Sequence, residues 1–171
     1  MADYQKSFDF LMLVEDSSGR GIVTDDNGGK TRWGVAAEWA VGLPGDFYTT
    51  DAASSRADAS GYYKHLYWVR ICGDAITSDK IAAQFLSIAV NMGVDVAVTL
   101  MQTALGIEKD GICGAQTVNA INAKDQITLL AQFNAAALAR YGAIVRVKPF
   151  LAGNLVGWQN RIMAIYRFPV I

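Results

Sequence analysis

Residues 80–92, KIAAQFLSIAVNM, constrain this chain more than any other stretch. Ser78 and Asp79 form a good helix start, since a short oxygen-bearing side chain can accept the free N–H groups of a first turn, and Gly93 supplies the stop. Between them the apolar residues lie nearly all round the helix. A helix without a polar face has to be covered on every side. The remaining chain must therefore wrap it, which predicts a mainly α fold.

The rest of the sequence supplies the wrapping. Residues 3–14 read as an amphipathic helix, with Tyr4, Phe8, Leu11 and Met12 at helical spacing and Glu15 at its carboxyl end. Ser, Gly, Asp and Asn dominate 17–30, around a β-compatible Ile22-Val23-Thr24, which predicts a small hairpin or loop. A short helix over 35–41 is expected next, stopped by Gly42 and Pro44. Further helices are expected at 58–71, 95–105, 116–122, 125–146 and 156–166, the long one broken by Pro149. With 171 residues and 52 % hydrophobic content, one domain has ample material for a core. The expected fold is mainly α, a helical bundle around a buried central helix with a small β-hairpin region.

Charge and cysteine content exclude several classes. A net charge of −1 without long like-charge runs gives no reason to expect nucleic acid. The amino-terminal residues lack the basic start and long apolar centre of a signal peptide, so the expected location is the cytoplasm. Cys72 and Cys113, without CxxC spacing or a nearby His, signal neither a disulfide framework nor zinc, and read as buried thiols. The single histidine, His65, removes most Ser-His-Asp, Cys-His and His-metal schemes.

Carboxylates around a glycine-rich stretch remain. Glu15 ends an apolar run at the negative end of a helix dipole, two conditions that disfavour its charged form. Asp25 and Asp26 lie in a polar loop and are expected to stay ionised, and Thr31 follows the Gly28-Gly29 pair. Two carboxylates in contrasting environments suit glycosidic hydrolysis, in which one protonates the departing oxygen and the other activates water or stabilises the cationic centre. The same residues also serve as ordinary helix-end and turn formers.

Glu15, DDNGGKTRWGV, YYKHLYW (62–68), AVNMG (89–93) and GWQNR (157–161) together resemble glycoside hydrolase family 108. Its members are peptidoglycan-cleaving N-acetylmuramidases common among phage endolysins. The resemblance implies a lysozyme-like fold, with Glu15 matching the catalytic acid, Asp26 the Asp before the Gly pair and Thr31 the Thr after it. The Glu-Asp-Thr order is also similar to that of phage-type lysozymes, where Asp25 gives the closer spacing, so both aspartates stand as candidates. This chain departs from the family pattern at Asp16 and Ser17 in place of Gly-Gly, in a loop about two residues longer, at Arg32 in place of Asn and at Ser87 in place of Asp. A second resemblance, QTALGIEKDGICGAQT (102–117), is to peptidoglycan-binding modules, although its glycines and Asp110 also suit a helix-turn-helix connection. The expected organisation is one domain, 1–171, with a catalytic part in 1–93 and a helical part in 94–171.

The resemblance implies cleavage of the β-1,4 bond between N-acetylmuramic acid and N-acetylglucosamine, with bacterial peptidoglycan as partner, no cofactor or metal, a monomeric chain and release from the host cytoplasm to the wall. Trp33, Tyr63, Tyr67 and Trp68 are candidates to line a sugar groove, and Asn91 to satisfy N-acetyl and hydroxyl groups; each also has an ordinary core or helix-end reading. A non-catalytic wall-binding protein and a lytic transglycosylase are the alternatives.

Overall fold

A computed structural model describes residues 1–16, 18–26 and 29–168, the side chain of Asp26 excepted. The expected central helix is α3, Asp79–Met92, capped by Ser78 Oγ on the Ile81 N–H and ended by Gly93 at φ 89°. Its residues 81–89 are consecutively buried. Around it lie α1 (Tyr4–Glu15), α2 (Ala52–Tyr63), α4 (Val94–Leu105), α5 (Ala115–Ala123), α6 (Gln126–Val147) and α7 (Leu155–Ala164). α1 and α4 pack on α3, and α6 packs on α3 and α4. One apolar cluster runs from Ala2 to Phe168 through all of these layers.

Each start has a local cause. Asp3 and Asp51 accept backbone N–H groups at the starts of α1 and α2, and Asp125 does so for α6. α4 ends at Gly106, in the left-handed conformation that lets the chain turn without a Cβ clash.

The strands depart from expectation. β1 (Thr24–Asp26) pairs antiparallel with β2 (Gly29–Arg32), which pairs with β3 (Val35–Ala36). Ile22 and Val23 precede β1, so the strand carries the aspartates. The expected 35–41 helix is instead β3 followed by a single 3₁₀ turn, Ala37–Trp39. Arg32 pairs with Val35, leaving Trp33 and Gly34 as a two-residue loop with φ 51° and 76°. Two successive positive φ values mark a type I′ hairpin turn, whose twist suits the flanking strands. The expected 58–71 helix is α2 followed by a π-helical stretch, Lys64–Trp68, with Tyr63 buried at the end of the first and Trp68 at the end of the second.

Candidate active site

Glu15 is the last residue of α1, and the Trp33-Gly34 turn comes down against it. A Cβ on Gly34 would stand 2.7 Å from Glu15 Cβ and 2.9 Å from the Tyr63 hydroxyl. That hydroxyl donates to the Trp33 carbonyl at 3.0 Å, which holds the turn. Burial pushes the Tyr63 phenol well above its ordinary value, the nearby Glu15 charge adds to this, and Arg161 opposes it. The phenol therefore stays a hydrogen-bond donor.

On its other side Glu15 meets α7. Arg161 donates through Nη1 to Glu15 Oε1 at 2.8 Å, with only 11 % and 14 % of the two side chains exposed. The same nitrogen lies 3.3 Å from Ser87 Oγ and 3.4 Å from the Ser87 carbonyl. This corrects the environment expected of Glu15, which has a guanidinium beside it as well as apolar neighbours. Ser87, where the resembled family pattern has Asp, places a hydroxyl and a backbone carbonyl beside Arg161. Sequence reasoning missed Arg161 as a site residue. Its one signal was membership of the GWQNR segment, 146 residues from Glu15.

Arg161 also opens onto a groove of about 770 Å³ whose wall includes Leu13, Val14, Asn91, Trp158 and Arg167. Trp158 stacks on Tyr141, ring centres 4.7 Å apart and planes within 12°. Tyr141 donates to Asn91 Oδ1 at 2.7 Å, and its phenol is pushed up to about 12 by burial, with Arg161 lowering and Glu15 raising it. Asn91 is exposed at this wall, away from the all-buried part of α3.

The other candidates separate. Asp25 is exposed and stands opposite Lys30, while Thr31 is half-buried opposite Thr24. Alternation along a strand puts Asp25 and Thr31 on opposite faces of the hairpin. Asp26 pairs with Gly29, but its side chain lies outside the described residues, as do Ser17 and Gly28. Trp33, Tyr63 and Trp68 are 3 %, 2 % and 0 % exposed, which corrects their placement along a sugar groove. Their polar atoms are satisfied internally, the indoles by Ser55 Oγ and Asp74 Oδ1. Tyr67 is half-buried against Tyr62 and Tyr63.

Two departures from the family pattern have one structural explanation. Asp16 accepts the N–H groups of Ser18 and Gly21, the latter at 2.7 Å, and the Ser18 hydroxyl. The buried Arg32 donates to the Gly21 carbonyl and to those of Phe47 and Thr50, each at 2.8 Å. Gly21 is thus gripped from both sides, and a Cβ there would meet the Trp33 indole at 2.3 Å. Asp16 and Arg32 fix the loop before the hairpin.

The 102–117 signature is likewise occupied internally. Gln102 Nε2 donates to Asp110 Oδ1, the Ile112 carbonyl and Thr117 Oγ1, and its Oε1 accepts the Gly111 N–H. Hydrogen bonds from Ile112 N and Gln102 hold the Asp110 carboxyl below its ordinary value. Among the described residues there is no cluster of three or more His, Cys, Asp or Glu side chains suited to a metal ion, and no helix is long and apolar enough to cross a membrane.

Residues 15–93 match the family model "Glycosyl hydrolase 108", and residues 96–163 match "Predicted Peptidoglycan domain". No curated protein matches the chain. The solved structure of Brucella abortus SagA is similar over 96 % of this chain and 94 % of that one, with a TM-score of 0.70 at 20 % identity, which shows a shared fold. The chain is thus similar over residues 15–93 to the glycosyl hydrolase 108 family and over 96–163 to a peptidoglycan domain, the two matches following each other along the sequence.

Proposed function

We propose that this protein is a peptidoglycan hydrolase of the lysozyme type, an N-acetylmuramidase that cleaves the β-1,4 bond between N-acetylmuramic acid and N-acetylglucosamine. The observation that carries the proposal is Glu15, a nearly buried carboxylate clamped between the Gly34 turn and Arg161 beside a polar groove. The family match of 15–93 and the peptidoglycan domain match of 96–163 support the substrate class.

In this reading Glu15 first takes up a proton from solvent, then gives it to the departing glycosidic oxygen, and Arg161 stabilises the carboxylate left behind. Thr31 holds the attacking water. Asp26 is the preferred second carboxylate, since Asp25 stands on the face of the hairpin opposite Thr31. Asn91, with Oδ1 taken by Tyr141, has its amide hydrogens to offer to an N-acetyl carbonyl. Trp158, held flat by Tyr141, offers a ring face to a sugar, a role the sequence reading gave to other aromatics. The resemblance to phage endolysins extends the proposal to host lysis, with the protein held in the host cytoplasm until a separate pore admits it to the wall.

The test is turbidity loss of purified peptidoglycan with wild type and Glu15→Gln, counting new reducing ends in the same tubes. Wild type should clear the wall and release reducing ends, and the variant should lose at least about 100-fold in rate while still melting as a folded protein, at a lower temperature because Arg161 loses its partner. Near-normal turnover by Glu15→Gln would remove Glu15 from the mechanism. Products lighter by one water, without reducing ends, would make the enzyme a transglycosylase.

A further inference from the structure

Cys72 and Cys113 take no part in the chemistry above. Cys72 lies just beyond the π-helical stretch, within the segment matched by the hydrolase family, and Cys113 lies in the turn between α4 and α5, within the segment matched by the peptidoglycan domain. Their sulfurs cross. Cys72 Sγ lies 2.7 Å from the Cys113 carbonyl oxygen, and Cys113 Sγ lies 3.2 Å from the carbonyl oxygen of Ile71, the residue before Cys72. Each thiol donates to the backbone of the other's segment, so the two side chains run alongside each other.

Both backbones are fixed. Cys72 holds the left-handed conformation at φ 54°, its carbonyl accepts the Ala75 N–H at 2.9 Å, and the next residue, Gly73, packs so tightly under Trp68 that a Cβ would stand 2.2 Å from the indole. On the other side Gln102 grips the Ile112 carbonyl and the Gly111 N–H just before Cys113. Burial pushes the Cys113 thiol up, and the neighbouring Cys72 sulfur pushes it the same way. Both residues are only half-buried, within reach of a small reagent.

We propose that Cys72 and Cys113 form a reversible disulfide that joins the hydrolase segment to the peptidoglycan segment. The oxidant is a small-molecule disulfide such as oxidised glutathione. One protein thiolate attacks it and expels a glutathione thiolate, and the second protein sulfur then displaces the other from the mixed disulfide. The protein gives up two protons and two electrons, and the reagent becomes two thiols. The bond closes a loop between positions 41 residues apart, a span over which a cross-link restricts the unfolded chain appreciably. Peptidoglycan lies outside the cytoplasmic membrane, where disulfides persist. That benefit rests on the proposed function, whereas formation of the bond does not.

The test uses the full chain, folded, exposed to oxidised glutathione and followed by intact mass, peptide mapping and melting. The expected product is lighter by two hydrogen atoms, carries a cross-linked peptide pair containing Cys72 and Cys113, and melts about 5–10 °C higher. Dithiothreitol reverses all three changes, and Cys113→Ser shows none of them. A stable glutathione adduct on either cysteine, a disulfide between two copies, or two thiols unchanged under excess oxidant would overturn the proposal. The wild-type mass decides even where Cys113→Ser does not fold, and none of these readouts depends on cleavage of peptidoglycan.

Discussion

Gly34 is the residue on which the position of Glu15 most depends. Its φ of 76° suits glycine, and the place of its missing side chain is already filled by Glu15 and the Tyr63 hydroxyl. Gly34→Ala should cost about 1–2 kcal/mol in backbone strain and push the Glu15 side chain aside. Turnover should then fall at least about 10-fold, more than the modest drop in melting temperature explains; reducing-end assays beside thermal melts check this, and full activity would show that the turn does not position the acid. Arg161 acts from the other side. With both partners nearly buried, Arg161→Gln strands a charge and should destabilise by about 3 kcal/mol. The Glu15→Gln, Arg161→Gln double variant should recover about 1 kcal/mol or more of that loss. Strict additivity in a double-mutant cycle by denaturant unfolding would show that the ion pair carries no coupling.

At the scale of elements, the loop from Asp16 to Gly21 is held from α1 by Asp16 and from the hairpin by Arg32. Burial acts to raise the Asp16 carboxyl, but hydrogen bonds from Ser18 and from the backbone at Gly21, Ser18 and Gly19 outweigh it, and the net shift is below the ordinary 3.8. A carboxyl lowered on folding adds stability that is fully present above its unfolded value and is lost as pH falls through the folded one. Asp16→Asn should therefore melt lower than wild type at pH 7, by an amount corresponding to about 1 kcal/mol or less given the solvent around the loop. The gap should close as pH falls below about 4; a gap independent of pH would mean that the charge of Asp16 is not what holds the loop. The helices were legible because Asp3, Ser78, Asp125 and Gly106 announce their ends locally. The second hairpin was not, since Trp33 at positive φ is stabilised by Tyr63, Ser55 and Gly21, none of which sequence spacing connects to it. Trp33, Tyr63, Tyr67 and Trp68 suit a sugar groove by ring chemistry alone, which does not say which way each side chain points. The end of α2 instead buries Tyr63 and the π-helical stretch buries Trp68, while the half-buried Trp158 of α7, from the other end of the chain, lines the groove.

Across the whole molecule, residues 1–93 and 94–171 form two segments that meet along α3. Its nine consecutive buried residues face α1 on one side and α4 and α6 on the others, so neither segment covers the helix alone. Polar contacts cross the same boundary: Gln84 of α3 donates to Asn134 of α6 at 2.7 Å, and Tyr141 of α6 donates to Asn91. The candidate acid itself, from α1, is paired with Arg161 of α7. Separating the segments would expose Phe85 and its ring partner Phe133 to water and strand these polar groups, at a cost of several kcal/mol from the two apolar side chains alone. The reduced protein should therefore unfold in one calorimetric transition, its van't Hoff and calorimetric enthalpies agreeing. Glu15→Gln should leave that single transition intact. Two resolved transitions, or a native-like melt from residues 1–93 alone, would mean that the segments are separate folding units and that Arg161 reaches Glu15 across an interface between them. A single transition ties formation of the Glu15–Arg161 pair to closure of the whole core, so the candidate site is assembled only when the last helix docks.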